Sequence, residues 1–505
     1  MRIENLLRQN AVRRGDRLAV ISDERQLTWA ELDHESDRLA NALAALGYRA
    51  QERIALVLAN SHPMVTAFYG LWKINLVAVG INPRMTAPEI TRILAHSGAS
   101  AVICDTPAAV EAAAALPGMR AVFTVGLDGH PTLAELIASG DPAGTPETGH
   151  GGDLRSLRYT SGTTGAPKGC MATHDQQLAH TANYLSEIDV PRGGPTWLSV
   201  PLSLGVGASY VTTTAYLGVP LLLRRRFDPA AFLKDIAEYG VEHAFLVPTM
   251  LVDLVRALPD LDLSQAQRLK MIGYGGASVS WSLIRSVAEA LEVELYHAFG
   301  ATEAGGFTAL LTPDDHRNFL AAGATALVSV GRPAAYAEVK IFDEQDHEVP
   351  VRETGEMRIK AASVFSGYWS QPELTRQVLQ DGWLRLGDIA WRDERGYIYL
   401  ADRAQGVIRS GAQNVYAGEV EAVLQACPGV ARAAVVGVPD ERFGESVKAL
   451  VQRVPGADLT EEQVLGYCAE RLAGYKRPRE VEFVTDLPVD EGGKIRRAEL
   501  KESMR

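Results

Sequence analysis

Apolar positions along the first hundred residues switch between two periods. Trp29, Leu32, Ser36, Leu39, Leu43 and Leu46 recur at three- and four-residue steps, which predicts an amphipathic helix. Thr28 with Glu31 three residues later reads as its capping box, and Gly47 as its stop. Positions 54–58 form a continuous apolar run, followed by a helical pattern at 63–75, an apolar run at 77–79, a helix at 88–96 and another run at 101–104. Unbroken apolar strands separated by helices predict a parallel sheet covered on both faces. Residues 105–155, rich in Ala, Gly and Pro, read as a peripheral connection. Alternation then resumes, with helices predicted at 232–239, 249–257 and 282–291 and strands at 244–247 and 269–274. From 328 onward the pattern changes to short strands with turns, at 338–342, 355–359 and 397–400, which predicts a small antiparallel subdomain. The tail reads helix 419–427, strands 431–438 and 448–454, and helix 461–472, enough for a separate small domain. The predicted class is α/β: a large N-terminal domain of two doubly wound sheet subdomains plus a small β subdomain, then a small α+β C-terminal domain.

The stretch 195–223 carries no charge and is long enough to span a bilayer, yet it holds Pro201, Pro220 and the cluster Thr212, Thr213, Thr214. It is read as a strand, a loop and a buried helix inside a large domain, so no integral membrane span is expected. A chain of 505 residues is too long for one core. Its net charge of −12, without a dense Lys/Arg block, argues against nucleic acid or an anionic membrane as main partner. Cys104, Cys170, Cys427 and Cys468 are far apart, suggesting neither a disulfide scaffold nor a zinc site. The start of the chain lacks an apolar signal core, so a reducing cytoplasm is the expected compartment.

The chemistry centres on residues 159–169, Tyr-Thr-Ser-Gly-Thr-Thr-Gly-Ala-Pro-Lys-Gly. Nothing in it can fill a core. Gly162, Gly165 and Gly169 let a backbone approach a ligand closely, and successive N–H groups in such a loop form a concave anion site. Thr160, Ser161, Thr163 and Thr164 add hydroxyl donors and Lys168 a fixed positive charge. Polyphosphate binding needs all of these. The spacing excludes a Walker A motif.

This stretch resembles the phosphate-loop signature of the adenylate-forming superfamily, which contains acyl-CoA synthetases, luciferases and peptide-synthetase adenylation domains. Six further stretches between Gly273 and Lys494 resemble that superfamily in the same order. The resemblance implies that Gly275, Gly276 and Ala277 border adenine and the acyl pocket. It implies that Phe299, where tyrosine is usual, and Gly300 flank adenine. Thr302 would contact a phosphate oxygen and Glu303 would hold Mg²⁺, a hard-oxygen ligand beside substrate phosphates. Asp388 would bind the ribose and Arg403 the ribose or a phosphate; Leu386 replaces a usual threonine. Gln405 stands at the hinge position, giving domains 1–404 and 405–505, the second of them mobile. Ser410, Gly411 and Ala412 would line the coenzyme A tunnel, and Lys494, on a flexible glycine loop, would be the catalytic lysine. Ser203 and Leu204 stand where an aromatic residue and histidine are common; with Gly205, Gly207 and Ala208 they read as a small or apolar acyl pocket with no fixed ammonium or carboxylate partner.

The implied reaction is activation of a hydrophobic carboxylic acid (fatty, aromatic or polycyclic) by ATP and Mg²⁺ as acyl-AMP, with transfer to coenzyme A. Delivery to a carrier-protein thiol and a non-catalytic binding protein of the same fold are the alternatives. A homodimer stays open.

Overall fold

The computed structural model describes residues 1–160, 167–276, 279–324, 328–403, 407–410, 413–440, 444–472, 474–489, 495–496 and 499–500. A large N-terminal domain of mixed α/β architecture precedes a smaller C-terminal domain.

The helix Glu4–Arg14 opens the chain; the next, Trp29–Ala45, has its capping box formed: Glu31 N–H donates to Thr28 Oγ1 and Thr28 N–H to the Glu31 carboxylate. Six strands form the first sheet, in the order Ala121–Thr124, Ala101–Cys104, Arg53–Val57, Val77–Gly80, Leu154–Thr160 and Lys168–Thr173. All neighbours are parallel except the last pair, which is a hairpin. The strand Ala121–Thr124 lies in 105–155, so that segment is a further sheet-building unit with helices Pro107–Ala114 and Leu133–Ser139, not the plain connection expected. Its alanine-rich helix hid the unit, because alanine supplies little periodic contrast.

The second sheet has nine strands. Five of its central strands, Leu221–Leu223, Thr196–Leu198, His243–Leu246, Met271–Gly275 and Glu294–Ala301, are parallel neighbours. Alternate residues of each strand enter different cores. Ile54 and Leu56 join one cluster with Leu198, Leu223 and Phe245 from the second sheet, so a single core lies between the sheets. Ala55 and Val57 face outward to the helices Ala87–Ser97 and Pro107–Ala114. Leu222, Ala244 and Ile272 face outward to Pro229–Tyr239, Pro248–Ala257 and Trp281–Leu291. This burial on both faces is why the strands read as continuous apolar runs.

The uncharged stretch resolves into a strand at Thr196–Leu198, the helix Gly205–Leu217 and a strand at Leu221–Leu223. The helix sits in the shared core, buried through Tyr210, Val211, Thr212, Thr213 and Thr214, with Thr214 Oγ1 donating to the Tyr210 carbonyl at 2.8 Å. No helix among the described residues is long and apolar enough to cross a membrane.

A third, antiparallel sheet contains Ala337–Phe342, Gly355–Ala361, Trp383–Arg392 and Ile398–Arg403 around its own core. The C-terminal domain pairs Val430–Asp440 with Gly444–Arg453, flanked by the helices Ala417–Gln425 and Glu461–Ala469, over a separate core.

Candidate functional site

In parallel sheets the carboxyl ends of the strands share one edge, and ligands bind there. Gly80, Thr160, Leu198, Gly275 and Ala301 all end strands at this edge. The side chain of Asn60 ties the two sheets together at this level. Its Nδ2 donates to the Val200 carbonyl at 3.0 Å and to the Arg224 carbonyl at 3.2 Å, while Leu202 N–H donates to its Oδ1 at 2.8 Å. A methyl group at Gly80 would lie 3.0 Å from the Ser203 carbonyl, so the two sheet edges meet there.

The glycine-rich stretch caps a β-hairpin whose register pairs Tyr159 with Gly169 and Thr160 with Lys168. Ser161, Gly162, Thr163, Thr164 and Gly165 lie outside the described residues. The base of the hairpin is braced from the antiparallel subdomain. Trp369 N–H donates to Gly169 at 2.8 Å and Met171 N–H to Gly367 at 3.0 Å. Gln371 Nε2 donates to the Pro167 carbonyl at 2.9 Å, and His96 meets the Tyr159 hydroxyl at 2.8 Å.

Glu303 follows the strand Glu294–Ala301, and it is brought to the same place. Its Oε1 accepts from the Tyr368 hydroxyl at 2.8 Å, and its carbonyl accepts from Phe365 N–H at 2.9 Å. Lys168 Nζ lies 5.9 Å from the centre of the Tyr368 ring. Burial and the nearby Glu303 charge push the Cys170 thiol and the Tyr368 hydroxyl up, so both stay protonated. No other hydrogen bond reaches the Glu303 carboxylate among the described residues, and none of them forms a cluster of three potential metal ligands. One partly buried carboxylate is what a magnesium ion takes when phosphate oxygens and water complete its shell.

Thr302 lies beside the acyl-pocket candidates. A methyl group at Gly205 would sit 3.8 Å from Thr302 Oγ1 and 3.6 Å from Arg158 Nη1. Leu204 and Gly205 are partly exposed, whereas Ser203, Gly207 and Ala208 are buried. Gly207 closes packing rather than opening space, since a methyl group there would lie 2.1 Å from the Pro201 carbonyl. Gly275 packs against the neighbouring strand, where a methyl group would meet the Ala298 carbonyl at 2.3 Å. Gly276 has φ +97°, a conformation that favours glycine, and open space beside it. Ala277 lies outside the described residues.

Phe299 and Leu386 pack against one cluster with Leu384 and Ile398. This explains the apolar residue at 386: its side chain helps seat the antiparallel subdomain. Gly300 pairs with Phe307 across a hairpin, and Asp388, which is buried, pairs in register with Arg403. Gln405, Gly411, Ala412 and Lys494 lie outside the described residues; Ser410 ends the strand Val407–Ser410.

Sequence reasoning missed Arg158, Gln177 and Tyr368. Arg158 is 5 % exposed, and its Nη2 donates to Gln177 Oε1 at 2.7 Å; Arg155 donates to the same oxygen at 2.6 Å. The pocket candidates were read as having no fixed ammonium or carboxylate partner; the structure sets Arg158 beside one of them, Gly205. Two arginines in a strand leading into the loop, within a sheet expected to be covered on both faces, were the available signal.

The AMP-binding enzyme family matches residues 7–369, and the AMP-binding enzyme C-terminal domain matches residues 419–494. A long-chain-fatty-acid–CoA ligase of Mycobacterium tuberculosis, FadD13, is 35% identical over 484 residues, covering 94% of this chain and 93% of that one. The anthranilate CoA ligase AuaEII, solved with anthranoyl-AMP, superposes with a TM-score of 0.92 at 27% identity, covering 100% of this chain and 97% of that one. The amide bond synthetase McbA of Marinactinospora thermotolerans superposes with a TM-score of 0.88 at 30% identity, covering 100% of both.

Proposed function

This chain belongs to the AMP-binding enzyme family, whose members are adenylate-forming ligases, and we propose that within it the protein is an ATP-dependent acid–CoA ligase. A carboxylate attacks the α-phosphorus of ATP and expels pyrophosphate; the thiol of coenzyme A then displaces AMP from the acyl-adenylate. The first step needs no general base, since a carboxylic acid of pKa near ~4.3 is already ionised at neutral pH. Catalysis therefore rests on positioning and on charges aimed at the reacting phosphate.

In this reading Lys168 and residues 160–165 hold the phosphates and Thr302 a phosphate oxygen. Asp388 and Arg403 hold the ribose, and Gly275, Gly276, Ala277, Phe299 and Gly300 the base. Glu303 holds Mg²⁺, which when bound neutralises phosphate charge. Residues 405–505 turn about Gln405, so that Lys494 serves adenylation and Ser410, Gly411 and Ala412 then guide the thiol arm. Leu204 and Val206, half-buried against the shared core, support an acid with an apolar body. A cytoplasmic setting accords with four buried, unpaired cysteines.

The observation that carries this reading is the gathering of Lys168, Tyr368 and Glu303 at the mouth of one hairpin, on the carboxyl edge of the strands. Pyrophosphate release with a panel of acids, followed by thioester formation with free coenzyme A, tests it. No pyrophosphate with any acid overturns the enzyme reading. Pyrophosphate without a coenzyme A thioester transfers the second step to a carrier-protein thiol or, as the full-length likeness to an amide bond synthetase also supports, to an amine.

A further inference from the structure

We infer that Arg158 binds a second, non-reacting carboxylate of the acid, so that the pocket takes a compact dicarboxylic acid with an apolar body. The inference rests on the acid-activating reading of this site.

Arg155 and Arg158 share one strand, and both are buried. Among the described residues neither has a carboxylate at ion-pair distance; both guanidinium groups converge on the single Gln177 oxygen. Among the described residues Nε and Nη1 of Arg155 and Nε of Arg158 meet no acceptor. A buried cation without a counter-charge is strongly unfavourable unless something supplies the anion. Burial lowers Arg158 only to about 10, so it remains charged at neutral pH.

The two arginines differ in what lies in front of them. Arg155 is covered by the Trp72 ring, 5.1 Å away, and braces Gln177 from below. Arg158 instead turns Nη1 toward Gly205, where a methyl group would lie 3.6 Å from it and 3.8 Å from Thr302 Oγ1. That glycine starts the thirteen-residue helix Gly205–Leu217, and its N-cap, Leu204, offers no side-chain oxygen to the first-turn N–H groups. Ser203, 5 % exposed, has an Oγ with no partner among the described residues. The Arg158 guanidinium thus lies at a helix start that no side chain caps, and both features favour an oxyanion.

Two features favour a spectator carboxylate over the reacting one. The reacting carboxylate loses its charge as the acyl–phosphate bond forms, so a cation fixed on it would stabilise the ground state more than the transition state. A spectator group keeps its charge through both steps. Thr302 Oγ1 and Arg158 Nη1 also flank the same point at Gly205, which sets the second group a short linker from the one that is activated.

The test compares short aliphatic and ortho-aryl dicarboxylic acids with their mono-methyl esters, which keep one carboxylate for activation. The readout is kcat/KM for pyrophosphate release. The wild type is expected to prefer the diacid over its half-ester by roughly 30- to 5,000-fold, the range for removing one partner of a buried charge pair. Arg158→Met should erase or reverse that preference while still activating the half-ester, and Arg158→Lys should keep part of it. Arg158→Met should also melt at a higher temperature than the wild type without ligand, because an unpaired buried charge is gone. Equal losses on diacid and half-ester in both variants would place Arg158 at the reacting carboxylate and overturn the inference. A wild-type preference for the half-ester would overturn it as well. Failure of every acid, diacid or not, would instead sink the ligase reading itself.

Discussion

The hydroxyl of Tyr368 donates to Oε1 of Glu303 at 2.8 Å, and Tyr368 also bridges to Cys170 on the glycine-rich hairpin. One tyrosine therefore fixes the carboxylate proposed to hold the metal relative to the loop proposed to hold the phosphates. A hydrogen bond to a charged group contributes about 1.5–3 kcal/mol. Tyr368→Phe should accordingly raise the Mg²⁺ concentration that half-saturates pyrophosphate release by roughly ten- to a hundredfold, with the ATP loop intact. Glu303→Gln, which removes the charge, should lower adenylation by orders of magnitude while the fold persists. A Mg²⁺ titration of both variants checks this; wild-type curves for both would remove Glu303 from the metal.

Leu204 is partly exposed beside Gly205, at the start of the buried helix. Leu204→Trp should therefore fill the acyl space and lower kcat/KM for large acids more than for small ones. A size series of acids measures the ratio. Uniform losses would place residue 204 outside the pocket.

In the proposed reading Lys494 and residues 410–412 share one mobile C-terminal domain on which the two reaction steps place different demands. The hinge rotation proposed between steps would reconcile them. Removing one charge aimed at a transition state typically costs ~3–4 kcal/mol, roughly a hundred- to thousandfold. Lys494→Ala should lose that much in acyl-adenylate formation, yet convert synthetic acyl-adenylate and coenzyme A to thioester near the wild-type rate. Parallel losses in both half-reactions, in a variant with an unchanged melting profile, would mean the lysine serves both steps.

Five buried histidines tie stability to pH. Burial lowers His174 to about 2, His180, His243 and His297 to about 3, and His316 to about 4, from 6.5. Folded, they are neutral; unfolded, they take up protons below pH 6.5. Their contribution to stability is complete above that value and is lost as pH falls toward the folded values, each by up to about 1.4 kcal/mol per pH unit. Tm should fall steeply between pH 6.5 and pH 4. His243→Gln can retain a hydrogen bond to Tyr296, whose hydroxyl meets His243 Nε2 at 2.9 Å, and should flatten that slope by about a fifth. A Tm that stays level from pH 7 to pH 5 would contradict these neutral histidines.

Much of the architecture was legible because each element satisfies a local rule. The Thr28–Glu31 box starts its helix as written, and the apolar runs at 54–58 and 101–104 are strands because both of their faces are covered. The uncharged stretch after Pro195 was legible as a buried helix because prolines and threonines interrupt it. The strand Trp383–Arg392 was not anticipated as a strand, since its alternation is broken by Arg385, Gly387 and Asp388, which belong to a motif.

By itself the sequence determined the fold class, many of its elements and the family, because propensity, patterning and a long glycine–hydroxyl signature are properties of contiguous residues. Only the tertiary structure decided that Tyr368 meets Glu303, that Asn60 fastens one sheet edge to the other, and that Arg158 faces Gly205 without a carboxylate partner among the described residues. These are contacts between residues far apart in the chain, set by how two sheets share one core. No local pattern encodes which buried charge is left to meet a ligand.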